Sequence, residues 1–207
     1  MATTTPNYGW SVPTSTDLVK DGATAIETLG DAIDASMNTA LGTKKAGMVL
    51  LNTTSFSGVS SQSVNDVFSS TYRNYLILFQ ATGSTGIDVN VRLRVAGADN
   101  SSANYRRQTL DSSSTTTGSS RNTGETSWTG MMSIRSGVRN PVPVYIFQPF
   151  ETEHTAAFST RLDSINGNIE FRQVAHGVDV TTSYTGYSLI CSTGNMTGVV
   201  STYGFNV

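Results

Sequence analysis

Glu151, Glu153 and His154 form the densest cluster of titratable side chains in the sequence. Carboxylates beside a histidine can serve general acid–base chemistry, but such a site also needs a third partner and a pocket. A polar loop between two strands is the simpler interpretation. The segment Asp163–Asn168 has some features of a calcium loop, yet it lacks alternating Asp and Asn ligands and a closing glutamate. A hairpin turn is therefore expected there.

Catalytic signatures are absent from the sequence. It contains no nucleophile elbow, zinc-protease helix, P-loop or dinucleotide-binding motif. Two histidines and one cysteine, Cys191, cannot supply a thiolate or multi-histidine metal centre. Cys191 closes an apolar stretch, residues 187–191, and is interpreted as a small core residue. We expect no enzyme activity, no catalytic residue, no metal and no cofactor.

Three residues are candidates for ligand binding: Tyr105, Arg106 and Trp128. Aromatic faces pack on sugar rings, and a guanidinium group donates several hydrogen bonds in one plane. Together they would form a carbohydrate-binding surface. In the alternative interpretation, Arg106 or Arg107 pairs across strands while Trp128 fills one end of a sandwich.

The composition is typical of a β-rich protein with polar strand faces and many turns. Of 207 residues, 19 are glycine, more than a quarter are serine or threonine, and only 14% are charged. A net charge of −2 argues against a duplex nucleic-acid partner, which requires clustered Lys and Arg. No apolar run approaches the ~20 residues that cross a bilayer, and the first residues lack the features of a secretory signal. We expect no membrane insertion.

An amphipathic helix is predicted to follow an irregular arm. Thr14 is expected to cap it with Asp17 at its third position, and Gly42 ends the pattern. Between these ends, apolar residues recur in steps of three and four, which defines one stripe.

The apolar stripe of this helix has to be buried against something. Val19, Ile26 and Ile33 recur every seven residues, so the helix either docks on its own chain or forms a short parallel bundle with copies of itself. In the bundle, five residues would mediate oligomerisation: Val19, Ile26, Leu29, Ile33 and Met37.

From Gly47 onward the apolar period becomes two. The clearest strand is Ile87–Val95, whose apolar and polar residues alternate without a break. Prolines at 141, 143 and 149 place the strand Val142–Gln148 at a sheet edge. The other predicted strands are Met48–Asn52, Tyr75–Ala81, Tyr105–Leu110, Gly130–Ile134, Ala156–Leu162, Ile169–Val174, Tyr187–Ser192 and Gly198–Phe205.

Strands in succession without helices between them predict a mainly β fold, an antiparallel β-sandwich of jelly-roll-like type. Residues 46–207 form this domain, and residues 1–45 form an extended arm and one helix. Residues Asp111–Thr129 are expected to be a long exposed loop, and Val64–Phe68 one helical turn.

Residues 6–34 combine an aromatic turn with a capped helix. The informative pieces are Pro6–Trp10, Pro13, Asp17, Val19–Ala23, Ala25–Ile26 and Leu29–Asp31. In this order they resemble an N-terminal module that opens tail fibres, minor tail proteins and related appendages of tailed bacteriophages. The β part, through Arg92–Gly97 and Asp99–Tyr105, resembles the distal sandwich domains of such fibres.

The resemblance implies a non-enzymatic virion protein, a tail-fibre or minor tail subunit that assembles as a homotrimer. Its N-terminus would attach to other tail or capsid proteins, with Tyr8, Trp10 and Pro13 as the virion-docking residues. After synthesis in the host cytoplasm it would lie on the virion surface, where the sandwich is a candidate contact to host cell-surface glycan.

Two other functions stay open, a capsid head-fibre or decoration protein and a carbohydrate-binding module. A capsule depolymerase is disfavoured, since the sequence shows neither long repeats nor paired carboxylates placed to flank a sugar.

Overall fold

The computed structural model describes residues 3–16, 18–41, 47–113, 115–165 and 168–205. It contains two compact units, residues 1–46 and 47–207. The first unit consists of a small hairpin and one helix, and the second consists of two antiparallel sheets. The predicted mainly β, antiparallel fold with one N-terminal helix is confirmed. The jelly-roll connection and the helical bundle stay predictions.

In the first unit, strands β1 (Thr3–Thr4) and β2 (Ser11–Val12) pair antiparallel. A 3-10 turn over Val19–Asp21 leads into helix α1, which spans Gly22–Leu41. The predicted cap at Thr14 is wrong. Leu18 is the N-cap residue of the 3-10 turn and makes no side-chain hydrogen bond there. The Thr14 hydroxyl lies 3.0 Å from the hydroxyl of Thr16. Asp17 and Gly42 lie outside the described residues.

The larger sheet of the second unit has eight strands in the order β3-β15-β5-β11-β12-β13-β8-β9. Every neighbouring pair is antiparallel. In chain order these strands are β3 (Met48–Val59), β5 (Asn74–Gly83), β8 (Tyr105–Ser113), β9 (Thr116–Glu125), β11 (Asn140–Phe147), β12 (Ala156–Ile165), β13 (Asn168–Val178) and β15 (Met196–Phe205).

The smaller sheet has five strands. Four follow the order β10-β6-β14-β4, and the short strand β7 also pairs with β6. Their bounds are β4 (Ser61–Val64), β6 (Ile87–Val95), β7 (Ala98–Asp99), β10 (Trp128–Ile134) and β14 (Gly186–Cys191). Strand β6 coincides with its predicted bounds, because its strict alternation leaves one consistent register.

A single hydrophobic core takes side chains from both sheets. Strand β6 buries Ile87, Val89, Val91 and Leu93, while the polar residues between them are half-buried. Strand β5 contributes a matching inward face from the larger sheet, namely Tyr75, Ile77, Phe79 and Ala81. Cys191 is half-buried and packs against this core.

The predicted loop over residues 111–129 is wrong, because most of it is sheet. Strands β8 and β9 pair in a ladder from Ser113↔Thr116 to Tyr105↔Glu125, with one register shift between Tyr105 and Arg106. Strand β9 contains no apolar residue and is almost entirely exposed. Backbone hydrogen bonds to β8 hold this strand in place, and its side chains are not buried. Its sequence therefore lacks the alternating apolar residues by which a strand is usually recognised.

The strand around Pro141 and Pro143 is an interior strand, so its predicted edge position is wrong. Strand β11 lies between β5 and β12. However, β12 pairs only with Val144–Phe147, whereas the two prolines pair only with β5. Proline has no backbone N–H to donate, so it is tolerated where one side of the strand is unpaired. The first half of β11, which contains both prolines, is unpaired on the β12 side.

Two further predictions concern turns. The helical turn at 64–68 is wrong: Val64 ends β4, and Asp66 has a φ of 54°, which no right-handed helix contains. The hairpin at 163–168 is confirmed, since β12 and β13 pair as far as Ile165↔Asn168. Its turn residues, 166 and 167, lie outside the described residues.

Candidate assembly surface

The N-terminal arm is a closed hairpin that carries two aromatic rings. The Thr5 amide donates to the Trp10 carbonyl at 2.9 Å, and the Gly9 amide donates to the Thr5 carbonyl at 3.0 Å. Gly9 has a φ of 66°, a left-handed conformation that glycine adopts without steric cost. This turn brings the rings of Tyr8 and Trp10 into a stack, with centroids 5.0 Å apart.

The arm covers one side of α1. The Trp10 indole Nε1 donates to the Ser36 hydroxyl at 3.0 Å. Half-buried residues recur on α1 at helical spacing, namely Ala25, Leu29, Ala32, Ile33 and Ser36. Of the predicted virion-docking residues, Trp10 and Pro13 are therefore half-buried, and Tyr8 is 71% exposed.

A second apolar set, on α1 and on the 3-10 turn before it, remains in contact with water. Val19 is 96% exposed, Ile26 65% and Met37 53%. We call these three residues the exposed stripe. At 100° per residue, Ile26, Ile33 and Met37 fall within an arc of about 40° on the helix. Of the five predicted oligomerisation residues, only Leu29 and Ile33 are thus half-buried.

The acidic face of α1 lies opposite its half-buried residues and about 100° around the helix from Ile26. Glu27, Asp31 and Asp34 are all exposed there. In an assembly of parallel helices this face would have to remain in water, because like charges in a desolvated seam repel strongly. The helix therefore offers only its apolar side to a neighbour.

The predicted sugar-binding surface is wrong, because two of its three residues are buried. Tyr105 and Trp128 are fully buried, and their rings meet edge to face with centroids 6.1 Å apart. Tyr105 donates its hydroxyl proton to the Asn100 carbonyl, and Trp128 Nε1 donates to the Gly177 carbonyl. Only Arg106 is accessible, and it forms an ion pair with Asp179.

The alternative interpretation of these residues fits the structure. Trp128 fills the sandwich interior, and Arg107 pairs across strands with Glu125 at 3.5 Å. Sequence reasoning missed His176, which lies opposite Arg107 in the ladder and 6.0 Å from the Trp128 ring. Burial, together with the Arg107 charge, lowers the pKa of His176 to about 3. This histidine is a neutral core residue at physiological pH.

Three further titratable residues that the sequence brought together lie at the surface of the β domain. Glu151, Glu153 and His154 are exposed, and His154 Nδ1 lies 3.1 Å from the Val178 carbonyl oxygen. Among the described residues, no three His, Cys, Asp or Glu side chains converge as metal ligands.

Burial raises the pKa of the Cys191 thiol. In the described part of the chain, α1 is too short or too polar to span a membrane, and no other helix qualifies.

No protein-family model matches the chain, and no curated protein matches it significantly.

Proposed function

We propose that this chain is a non-enzymatic structural subunit of a tailed-bacteriophage virion, of tail-fibre or minor tail type. In this proposal it assembles as a homotrimer through α1, attaches to other virion proteins through its N-terminal unit, and exposes its β domain on the virion surface. A position on the capsid, as a head fibre or decoration protein, requires the same assembly.

The exposed stripe of α1 carries the proposal. Val19, Ile26 and Met37 leave large apolar surface in water, although the arm already covers the neighbouring side of the helix. Complete burial of such a side chain is worth about 1.5–3 kcal/mol. Copies of the helix can obtain this free energy by packing their exposed apolar residues together, and the seven-residue spacing of Ile26 and Ile33 within α1 favours such a seam.

The stacked aromatic pair supports the attachment role. Tyr8 is mostly exposed beside a cavity of about 380 Å³ whose other walls are Ala35, Ser36, Thr39 and Ala40. Large aromatic residues are frequent anchors at protein interfaces. A ring held rigid by stacking loses little conformational entropy when a partner covers it.

The oligomeric state of the purified full-length chain tests the proposal. We expect a trimer by analytical ultracentrifugation. Ile26→Asp should yield monomers, because association would then bury an unpaired charge. A strictly monomeric wild-type chain at concentrations up to about 100 μM would contradict the proposed assembly, since that limit corresponds to an association free energy of only about −5.5 kcal/mol.

Thr24→Asp is the matched control. It adds the same charge to the first turn of α1, on the polar side and where the helix dipole favours it. This variant should assemble like the wild type. If it also dissociates, the effect of Ile26→Asp reflects net charge and not the exposed stripe.

A further inference from the structure

One end of the sandwich contains a cavity of about 310 Å³ lined by three arginines. Arg135 directly follows β10, Arg161 lies on β12 and Arg172 on β13. We call this site the arginine cavity. It lies entirely within the β domain and includes none of the residues that the sequence suggested as ligand contacts.

Arg161 forms the floor of the arginine cavity. Its side chain is 3% exposed, and Nη1 donates to Asp88 Oδ1 at 2.9 Å. The same nitrogen also donates to the carbonyl oxygens of Gly130 at 3.1 Å and Met132 at 3.4 Å. These bonds fix the guanidinium group and balance its charge with that of Asp88.

Arg172 adds a second positive charge on the same side of the sheet. It lies directly opposite Arg161 in the antiparallel ladder, so both side chains leave the sheet on one face. Asp88 balances the charge of Arg161 but not that of Arg172. Arg172 forms no ion pair with any residue whose side chain the structure describes. An anion bound in the cavity would supply the counter-charge for Arg172.

Arg135 brings a hydrogen-bond donor that lacks an acceptor. Its Nε is buried and has no hydrogen-bond partner among the described residues. The Arg135 guanidinium group packs closely over Gly86, since its Nη1 lies only 2.8 Å from the position that a Cβ on residue 86 would occupy. A buried donor without a partner destabilises the fold, and a ligand oxygen that accepts its hydrogen bond would remove that cost.

The remaining lining restricts the kind of anion. Asp88 and Glu170 place two carboxylates in the wall, and Ser133 and Ser192 add hydroxyl groups. The carboxylates oppose a dianion such as phosphate, but they accept hydrogen bonds from neutral hydroxyls. Guanidinium groups match the planar oxygens of a ligand carboxylate. The lining therefore suits a molecule with one carboxylate and several hydroxyls.

We propose that the arginine cavity binds one carboxylated sugar unit of an acidic polysaccharide. The volume of the cavity is in the range of small-ligand sites. The biological setting, host-surface recognition by the β domain, rests on the proposed virion function. The binding itself depends only on the residues that line the cavity.

Glycan binding by the full-length chain tests this proposal. The probes are hyaluronan, polygalacturonate and polysialic acid, each compared with its carboxyl-reduced form by biolayer interferometry. We expect at least tenfold tighter binding to one or more of the acidic polymers than to its reduced form. Equal binding to both forms, or no binding to any acidic polymer, would overturn the proposal.

Variants of the cavity locate the binding site. Arg135→Gln and Arg172→Gln should each weaken binding at least tenfold, and Arg172→Lys should recover only part of it, because lysine keeps the charge but not the planar donor pair. Arg121→Gln removes one exposed charge from β9 and should change nothing. Full affinity in both cavity variants would disprove the site. Thermal unfolding of each variant verifies that the fold is intact.

Two further measurements, phosphate competition and oligomeric state, complete the test. Inorganic phosphate should compete weakly with the polymer, and competition at micromolar concentration would replace the sugar assignment with a phosphate site. The same samples are examined by analytical ultracentrifugation. Loss of glycan binding in a trimeric chain overturns only this inference, whereas a monomeric chain that binds glycan overturns the assembly and leaves this inference standing.

Discussion

His176 shows how burial fixes the protonation state of a single residue. It is 5% exposed and faces the Arg107 guanidinium across the ladder, so its imidazole stays neutral down to about pH 3. In the unfolded chain the pKa returns to about 6.5. Because the folded pKa is the lower one, the contribution of His176 to stability is complete above pH 6.5 and is lost as pH falls from there towards 3.

This difference predicts an acid-sensitive β domain. Between pH 7 and pH 5 the wild type should lose about 2 kcal/mol more unfolding free energy than His176→Gln, since only the wild type takes up a proton at this position on unfolding. Urea denaturation at the two pH values measures the loss. Identical pH dependence in His176→Gln and the wild type would contradict the prediction.

Residue types could be recognised from the sequence, but their exposure often could not. Tyr105 and Trp128 stand among serines, threonines and arginines, which is also what a sugar-binding surface looks like. Irregular registers beside both residues, at Tyr105/Arg106 and Trp128/Met132, break the simple alternation that would have marked them as internal. The sequence did not indicate the arginine cavity for a different reason, because Asp88, Arg135 and Arg172 lie on segments far apart in the chain.

At the scale of the element, β15 depends on a glycine. A Cβ at Gly198 would lie 2.2 Å from the Gln80 carbonyl oxygen on the neighbouring strand β5. Gly177 on β13 has no atom within 4 Å of the same position. The first glycine is required by close backbone approach, and the second is not.

Alanine substitutions should separate these two glycines. Gly198→Ala should lower the unfolding free energy by about 3 kcal/mol or more, because the backbone of β5 cannot move as a side chain can. Gly177→Ala should change it by less than about 1 kcal/mol. Chemical denaturation of both variants gives the comparison. Equal stability would show that β5 and β15 can separate slightly at no cost.

Elements with a clear period were predictable, and polar elements were not. Strand β6 agreed with prediction at both ends. Strand β9 was missed because its stability comes from backbone pairing with β8 and leaves no apolar pattern. The edge position of β11 was predicted from prolines alone, but half of the strand has no proline and pairs on both sides.

At the scale of the whole molecule, the proposed function makes a prediction about particles. Tailed virions purified from a culture that produces this chain should contain it at a copy number divisible by three. Quantitative mass spectrometry measures that ratio, and immunogold labelling of the particles distinguishes tail from capsid. Absence of the chain from purified particles would contradict the virion assignment, whatever its oligomeric state.

The open flank of β9 has a consequence for crowded conditions. As the last strand of the eight-stranded sheet, β9 has paired backbone groups on one side only in the described structure. Such a flank can recruit a strand from another molecule and start a fibril. Fibril growth also requires dry, interlocking side chains, and β9 offers only Thr, Ser, Gly, Asn, Arg and Glu, almost all hydrated. Densely packed copies should therefore remain dispersed rather than aggregate through this flank.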